Sequence, residues 1–333
     1  MNTITRRTLG LFMGAALVAT GAAAPAAADS CGLTRPVKAI VGYGAGGGTD
    51  SYARILASAI PEFLDGTPMV IVNRPGGAQV PAMKFVKAAD PDGVTLQVVA
   101  MGGGLMSTML RDQGISWFDD FRPIAQFGVT NQALVVRQGT DVRTAQDLID
   151  FIKAQNEAGE TVRWSHPGRG SVSHVGVTAF LEKNGILDMT QDVPFQGGAG
   201  TRNALLSGEV DFSASGAHTL PAFSDELHAV GVLSDERDPI VDDIPTLKEQ
   251  DIPFVPTSSP IVLAGPAGLS DEFVTCMSAA VEQATGHEAF KALTKKAQQA
   301  VVYRDADESL AYLQSLADAW APTVAEVRAS LAE

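Results

Sequence analysis

The junction Ile40-Val41-Gly42-Tyr43-Gly44-Ala45-Gly46-Gly47-Gly48-Thr49-Asp50 constrains the fold of this 333-residue chain more than any other stretch. A short apolar run enters five glycines within seven residues, and the helix-like run Tyr52–Ile60 follows. A strand that turns at once into a helix is one β-α unit. Thr49 and Asp50 read as caps of that helix. Glycine lets backbone N–H groups turn inward and lets a ligand approach closely. A helix N-terminus behind such a loop favours negative charge. The junction therefore predicts an α/β fold that holds a small anion by its backbone. Five glycines exceed what a tight turn alone requires.

The same alternation continues. Val37–Val41, Met69–Val72 and Thr95–Ala100 read as strands, with helices over Ser51–Phe63 and Val80–Ala88. Turn signals at Arg74-Pro75-Gly76-Gly77 and Asp90-Pro91-Asp92-Gly93 separate them. This β-α-β-α-β order predicts a parallel sheet. A second series has strands at Ala133–Val136, Val162–Ser165, Val193–Phe195 and Val210–Phe212, and helices at Thr144–Gln155, Ser173–Lys183 and Gly200–Ser207. Pro-rich Ile252–Pro260 reads as a connection. A strand at Pro260–Ala264 and helices at Asp271–Thr285, Phe290–Ala297 and Ala306–Ala332 complete the chain.

Arg6-Arg7, the apolar run Leu9 to Ala19 and the small residues ending at Ala26-Ala27-Ala28 form a bacterial export signal, with cleavage expected near Ala28. The apolar run is too short for a permanent membrane span. Thr5-Arg6-Arg7-Thr8-Leu9 suits the twin-arginine route as well as the general one, and both stay open. The expectation is a soluble periplasmic protein. Its net charge is −14, and loss of Arg6 and Arg7 leaves the remainder more acidic still. Such a chain disfavours nucleic acid and anionic lipid, and 6% aromatic residues are too few for a base-stacking platform. An anionic ligand in a local pocket remains compatible. Cys31 and Cys276 are the two cysteines, and an exported pair can form a disulfide. A bridge requires the C-terminal part to fold back onto the first unit.

Gly42, Gly44 and Gly47 give one register of a dinucleotide fingerprint, but the second strand ends in Val72-Asn73-Arg74 without the acidic residue that fingerprint needs. Three further strand–loop–helix junctions carry Gly and Ser: Ser165 to His174, Phe195 to Gly200, and Ala214 to His218. Ser171 is placed to cap its helix, His174 lies in the first turn, and Arg169 can supply positive charge at a rim. In open α/β sheets such loops line the crevice at the strands' carboxyl ends. Two units facing each other make a cleft. G-x-S-x-G, C-x-x-C and H-E-x-x-H are all missing, and His287-Glu288 lacks its second histidine. Ser171 with His174 is the remaining route to acyl transfer. Five scattered histidines do not suggest a metal centre, and no cofactor is called for.

These junctions resemble the Bug family, the TctC-like periplasmic solute-binding receptors of tripartite tricarboxylate transporters. The family's P-F-x-x-G-G-x-x-D stands here as Gly42 to Asp50, its E-N-R-x-G-A-x-G as Val72 to Gln79, and its A-x-P-D-G-Y-T-L as Ala89 to Leu96. Asp120-Phe121-Arg122-Pro123-Ile124, Gly168-Arg169-Gly170-Ser171 with His174, Val193 to Gly197 and Leu206 to Asp211 match later motifs in order. The resemblance implies an α/β, two-domain Venus-flytrap fold of type II, each domain a mainly parallel sheet flanked by helices. Domain 1 is expected over residues 29–128 plus 256–333 and domain 2 over 129–255. It also implies a monomer that is not an enzyme, with a small organic carboxylate as ligand (a di- or tricarboxylate or an aromatic acid) and membrane permease subunits as partners. The same fold presenting ligand to a signalling kinase is an alternative, and a periplasmic serine hydrolase a more remote one.

Carried over by position, the carboxylate grip falls on Tyr43, Ala45, Gly46, Gly47, Thr49 and Asp50. Across the cleft it falls on Gly170, Ser171 and His174, with Gly197, Gly198, Gly103 and Ser215 nearby. Two departures stand out. The family's proline is Gly42 and its aromatic is Tyr43, so a phenol can enter the site. Ser213-Ala214-Ser215-Gly216 lacks the acid that meets an amino group in some relatives, which argues for a non-amine carboxylate. Met101-Gly102-Gly103-Gly104 is bare, which predicts room for a bulkier acid.

Overall fold

The computed structural model describes residues 30–195 and 197–330; the export signal expected over residues 1–28 lies outside them. The chain opens with β1 (Val37–Val41), α1 (Gly48–Ala59), β2 (Met69–Asn73), α2 (Val80–Lys87), β3 (Thr95–Ala100), α3 (Met101–Leu110), α4 (Trp117–Asp120) and β4 (Phe121–Thr130). Asn131 alone separates β4 from β5 (Gln132–Arg137), and α5 (Ala145–Glu157), β6 (Val162–His166), α6 (Val172–Lys183), β7 (Thr190–Pro194), α7 (Gly197–Ser207), β8 (Phe212–Gly216) and β9 (Leu227–Val232) follow. Residues 233–258 lead to β10 (Ser259–Pro266), then α8 (Asp271–Gly286), α9 (Glu288–Lys296) and α10 (Ala306–Ser330). Among the described residues no helix is long and apolar enough to cross a membrane.

The strands form two five-stranded sheets, ordered β2-β1-β3-β10-β4 and β7-β6-β8-β5-β9. In the first, β1 pairs in parallel with β2 and β3, while β10 pairs antiparallel with β3 and β4. In the second, β6 is parallel to β7 and β8, and β5 antiparallel to β8 and β9. Four strands of each sheet thus run one way and one runs against them. The opposed strand in each sheet, β5 or β10, is the one with which the chain enters from the other half. Antiparallel pairing needs no crossover helix, so such a strand can slot in directly.

β3 and β10 are central and read as nearly unbroken apolar runs, because helices cover both faces of the sheet. One core lies between this sheet and α1 and α8, with Val98, Leu56, Phe127 and Met277 among its buried members. The other face packs against α2, α3 and α10 and takes in Val175 and Ala179 of α6, which belongs to the second half. The seam between halves is therefore apolar where α6 meets Leu110, Trp320 and Val327. Cys31 and Cys276 are joined by a disulfide, with Cα atoms 5.6 Å apart, which ties the N-terminal segment to α8.

Candidate functional site

The glycine loop is held from behind. Asp50 is 1% exposed, and its carboxylate accepts the Gly46 N–H at 2.8 Å, Arg54 Nε–H at 2.8 Å and Asn73 Nδ2–H at 2.8 Å. Asn73 also donates to the Tyr43 carbonyl at 3.0 Å, so β2 fastens the loop after β1. Burial alone would raise the Asp50 pKa, but the hydrogen bonds from Arg54, Gly46 and Asn73 outweigh it and pull it down to about 2. Asp50 is thus an ionised brace whose oxygens face its own loop. The Gly46 N–H is spent on that brace, and Gly47 N–H reaches the Gly44 carbonyl at 3.3 Å.

What the loop presents outward is the start of α1. Its N-cap is Gly47, with no side-chain cap, so the first N–H groups of a twelve-residue helix have no intrahelical or capping partner. Gly44, Gly46 and Gly48 are exposed, and a Cβ on any of them would meet nothing within 4 Å. An uncapped helix start beside bare glycines is an anion-binding arrangement. Thr49 is buried beneath it.

Tyr43 is half-buried, and burial pushes its phenol pKa up, which keeps the hydroxyl a neutral donor. A Cβ on Gly103 would lie 2.4 Å from that hydroxyl, one on Gly102 2.7 Å from Ser259 Oγ, and one on Gly104 2.7 Å from Val99. The three glycines begin α3, and Gly102 N–H donates to Ser259 Oγ at 2.9 Å. The room expected at Met101–Gly104 is therefore taken up by the protein's own side chains.

Gln79, which sequence reading did not single out, packs behind the glycine loop. It is fully buried in the left-handed region (φ 73°), and its amide mimics a strand neighbour: Nε2–H donates to the Ala100 carbonyl at 2.7 Å and Oε1 accepts the Ala100 N–H at 3.2 Å. A Cβ on Gly42 would lie 2.5 Å from Gln79 Cβ. The Gln79 side chain thus occupies the space that a side chain at position 42 would need.

On the opposite side, Ser171 caps α6, its Oγ accepting the His174 N–H at 3.2 Å. The His174 ring takes no part in that bond; its Nδ1 accepts the Gly170 N–H at 3.3 Å. The Ser171 hydroxyl and imidazole are thus not paired as nucleophile and base. Burial, then the neighbouring His166, lowers the His174 pKa to about 4, with Arg169 adding to this and Asp192 opposing it. His174 is neutral at physiological pH.

His166, His174 and Asp192 come together, with one potential ligand atom from each within 4.8 Å of the others. Nothing in the local sequence signals this, since Asp192 belongs to β7. Gly168 N–H donates to His166 Nδ1 at 3.2 Å, so that ring carries its proton on Nε2, 3.0 Å from Asp192 Oδ2. The His174 ring is fixed in the same tautomer by Gly170. These bonds make the trio a brace for the loop before α6. Trp164 lies against both rings, and Arg169 completes the brace with a 2.9 Å bond to Asp192 Oδ1.

The loop before α6 packs on α3. Val172 lies beside Gly102, and Gly170 beside Leu110, where added Cβ atoms would come within 3.4 and 2.8 Å. Gly197 and Gly198 open α7, and Ser215 lies in β8 opposite Ala133. Ala45, Gly46 and Asp50 line a separate hollow of about 520 Å³ with Arg54 and Leu293. Two side chains of the second half carry buried, unpartnered polar atoms. His218 folds back over Gly216 with Nδ1 buried and unpartnered, and Arg202, its Nε likewise unpartnered, stacks 4.2 Å from the Phe223 ring centre.

Two mixed sheets flanked by helices and joined by two connections, with glycine-rich loops at strand ends, give the fold of a solute-binding protein of the periplasmic type. Residues 52–328 match the model of the tripartite tricarboxylate transporter family receptor, TctC, and the chain belongs to that family, which is one of receptors rather than enzymes. It is 26% identical to Protein BugT of Bordetella pertussis over 333 residues, 97% of each chain. Its fold is similar to the crystal structure of a TctC solute-binding protein from Polaromonas, solved without ligand (TM-score 0.75, 25% identity, 88% of this chain and 97% of that one). It is also similar to MatC of Rhodopseudomonas palustris, solved with bound malate (TM-score 0.69, 24% identity, 87% and 99%).

Proposed function

We propose that the chain is an exported, monomeric receptor that captures a small organic carboxylate between two lobes and delivers it to the permease subunits of a tripartite transporter. The lobes are residues 29–128 plus 256–333 and residues 129–255. The observation that carries this reading is the uncapped N-terminus of α1 behind the exposed Gly44–Gly48 loop. It offers oriented N–H donors and a positive dipole end to one carboxylate. Tyr43, Ala45, Gly47 and Thr49 surround that point, while Gly46 and Asp50 set its shape. Gly170, Ser171, Gly197, Gly198 and Ser215 close on the ligand from the second lobe, with Gly103 behind Tyr43. The carboxylate class is supported by MatC, which is solved with malate. The stretch Ser213–Gly216 offers no acid to an amino group, which favours a non-amine acid. The brace around His174 and the absence of a Ser171–imidazole bond favour binding without chemistry.

Isothermal titration of the folded protein against di- and tricarboxylates, aromatic acids and amino acids tests this reading. Heat from at least one non-amine carboxylate, lost on adding side chains at Gly44 and Gly48, is the expected result. A folded protein silent toward every carboxylate would overturn it.

A further inference from the structure

The stretch 289–304 holds Lys291, Lys295, Lys296 and Arg304 and no acid, in a chain of net charge −14. Its first part is α9, where Ala292, Leu293, Lys295 and Lys296 are all exposed. Among the described residues neither Lys295 nor Lys296 has an ion-pair partner. Leu293 is 42% exposed, which by itself is ordinary for a surface. It lines the hollow of about 520 Å³ between α9 and α1, however, together with Ile55, Ala45 and Arg54. Lys296 is three residues beyond Leu293 and therefore its neighbour on the helix surface. An apolar-lined hollow flanked by two cations is a local reversal of the chain's overall charge.

The hollow backs onto the carboxylate grip. Gly46 and Asp50 line it as well. Arg54 donates to Asp50 Oδ2 at 2.8 Å and to Asn73 Oδ1 at 3.2 Å, the two residues that fasten the glycine loop. From the other wall Gln299, just after α9, donates its Nε2–H to the Gly48 carbonyl at 3.0 Å. Gln299 is buried, and this bond ties α9 to the first residue of α1. A partner seated on this face touches the residues that shape the grip.

We infer that α9 and the adjoining side of α1 form the face that docks on the permease, and that the permease meets it with an acidic segment bearing an apolar side chain. The apolar side chain fills the hollow against Leu293 and Ile55, and the acids face Lys296 and Arg54. This rests on the delivery reading above and adds the surface to it. The net charge of the chain disfavours an acidic partner in general, so one basic face selects a single orientation of approach. A lipid surface fits less well, since it leaves the hollow unfilled and its anionic headgroups repel the rest of the chain.

A photo-crosslinking amino acid at Ala292, in the full-length protein produced in the bacterium that encodes it, tests the inference. The expected adduct is with a membrane-spanning subunit of the tripartite transporter, identified by mass spectrometry. The same group at Lys153, exposed on α5, is expected to give no such adduct. Leu293→Glu combined with Lys296→Glu is expected to cut the adduct at least ~10-fold, as like charges across an interface do. The melting temperature and carboxylate affinity of the purified double variant are expected to match the wild type. A permease adduct from Lys153 and not from Ala292, or one that the double variant leaves unchanged, overturns this face and leaves the delivery reading standing. Binding of phosphatidylglycerol vesicles that the double variant loses, without a permease adduct at Ala292, makes the face a lipid contact and also overturns it. Loss of carboxylate affinity in a folded double variant overturns it too, since the face would then act on the cleft. No permease adduct from Ala292, Lys153 or a wider set of exposed positions overturns delivery and docking face together.

Discussion

Asp50 and His174 show how single buried residues brace the two loops of the candidate site. Asp50 gathers three donors, from Gly46, Arg54 and Asn73, onto one buried carboxylate. Asp50→Ala strands them, and the unfolding free energy in denaturant is expected to fall by ~2–4 kcal/mol. The pH dependence has a definite sign. The folded pKa of Asp50, about 2, lies below its ordinary 3.8, so its stabilisation is complete above 3.8 and is lost as pH falls toward 2. His174 acts earlier. Its folded pKa of about 4 lies below its ordinary 6.5, so the unfolded chain takes up the proton first on acidification. Stability from neutral His174 is complete above 6.5 and drains away between 6.5 and 4. Thermal melting across that window is expected to show a decline that His174→Gln flattens; an unchanged slope contradicts the burial account.

Among the elements, the Gly42–Gln79 pair links the loop after β1 to the turn before α2. Gly42→Ala drives a methyl to 2.5 Å from Gln79 Cβ and 2.9 Å from its Cα. Overpacking of this kind costs ~1–3 kcal/mol. Gln79→Gly should relieve it, so the double substitution is expected to be more stable than the sum of the singles predicts in denaturant melts, whereas strict additivity means the two do not share the space. The sequence disclosed β1, α1, β3, α6 and α8 because strand runs and caps such as Ser171 and Ser270 are local signals. It did not disclose α3, whose three glycines carry no helix signal. Glycine is required there because Ser259, Tyr43 and Val99 lie where a Cβ would sit. Nor did it disclose β4, which contains Pro123 and Gly128. Pro123 is tolerated because β4 is an edge strand, and Gly128 makes way for the Tyr52 ring. The grip loops were legible as glycine and serine junctions. The Asp192 brace was not, because β6 and β7 must pair before His166 and Asp192 meet.

For the whole molecule, two features govern how the halves can move. The apolar packing of α6 against α3 and α10 fixes one side of the seam, so opening is expected to pivot there and to be largest at the loops facing it. Asn131 and residues 233–258 carry the chain between the sheets, with Leu233 N–H on the Gln132 carbonyl and Thr257 N–H on the Leu233 carbonyl, both at 2.8 Å, keeping the two strands of the hinge together. The Cys31–Cys276 disulfide ties the segment before β1 to α8 across a sequence separation of 245 residues, which spans the whole second sheet. Replacing both cysteines by serine is expected to lower unfolding stability by ~2–4 kcal/mol with carboxylate affinity unchanged. The place of the first carboxylate is the central claim, and a crystal structure with a bound diacid tests it most directly. One carboxylate is predicted within hydrogen-bond distance of the N–H groups at the start of α1, with Ser171 facing it. A ligand seated away from the Gly44–Gly48 loop, with the start of α1 left to solvent, would contradict the account.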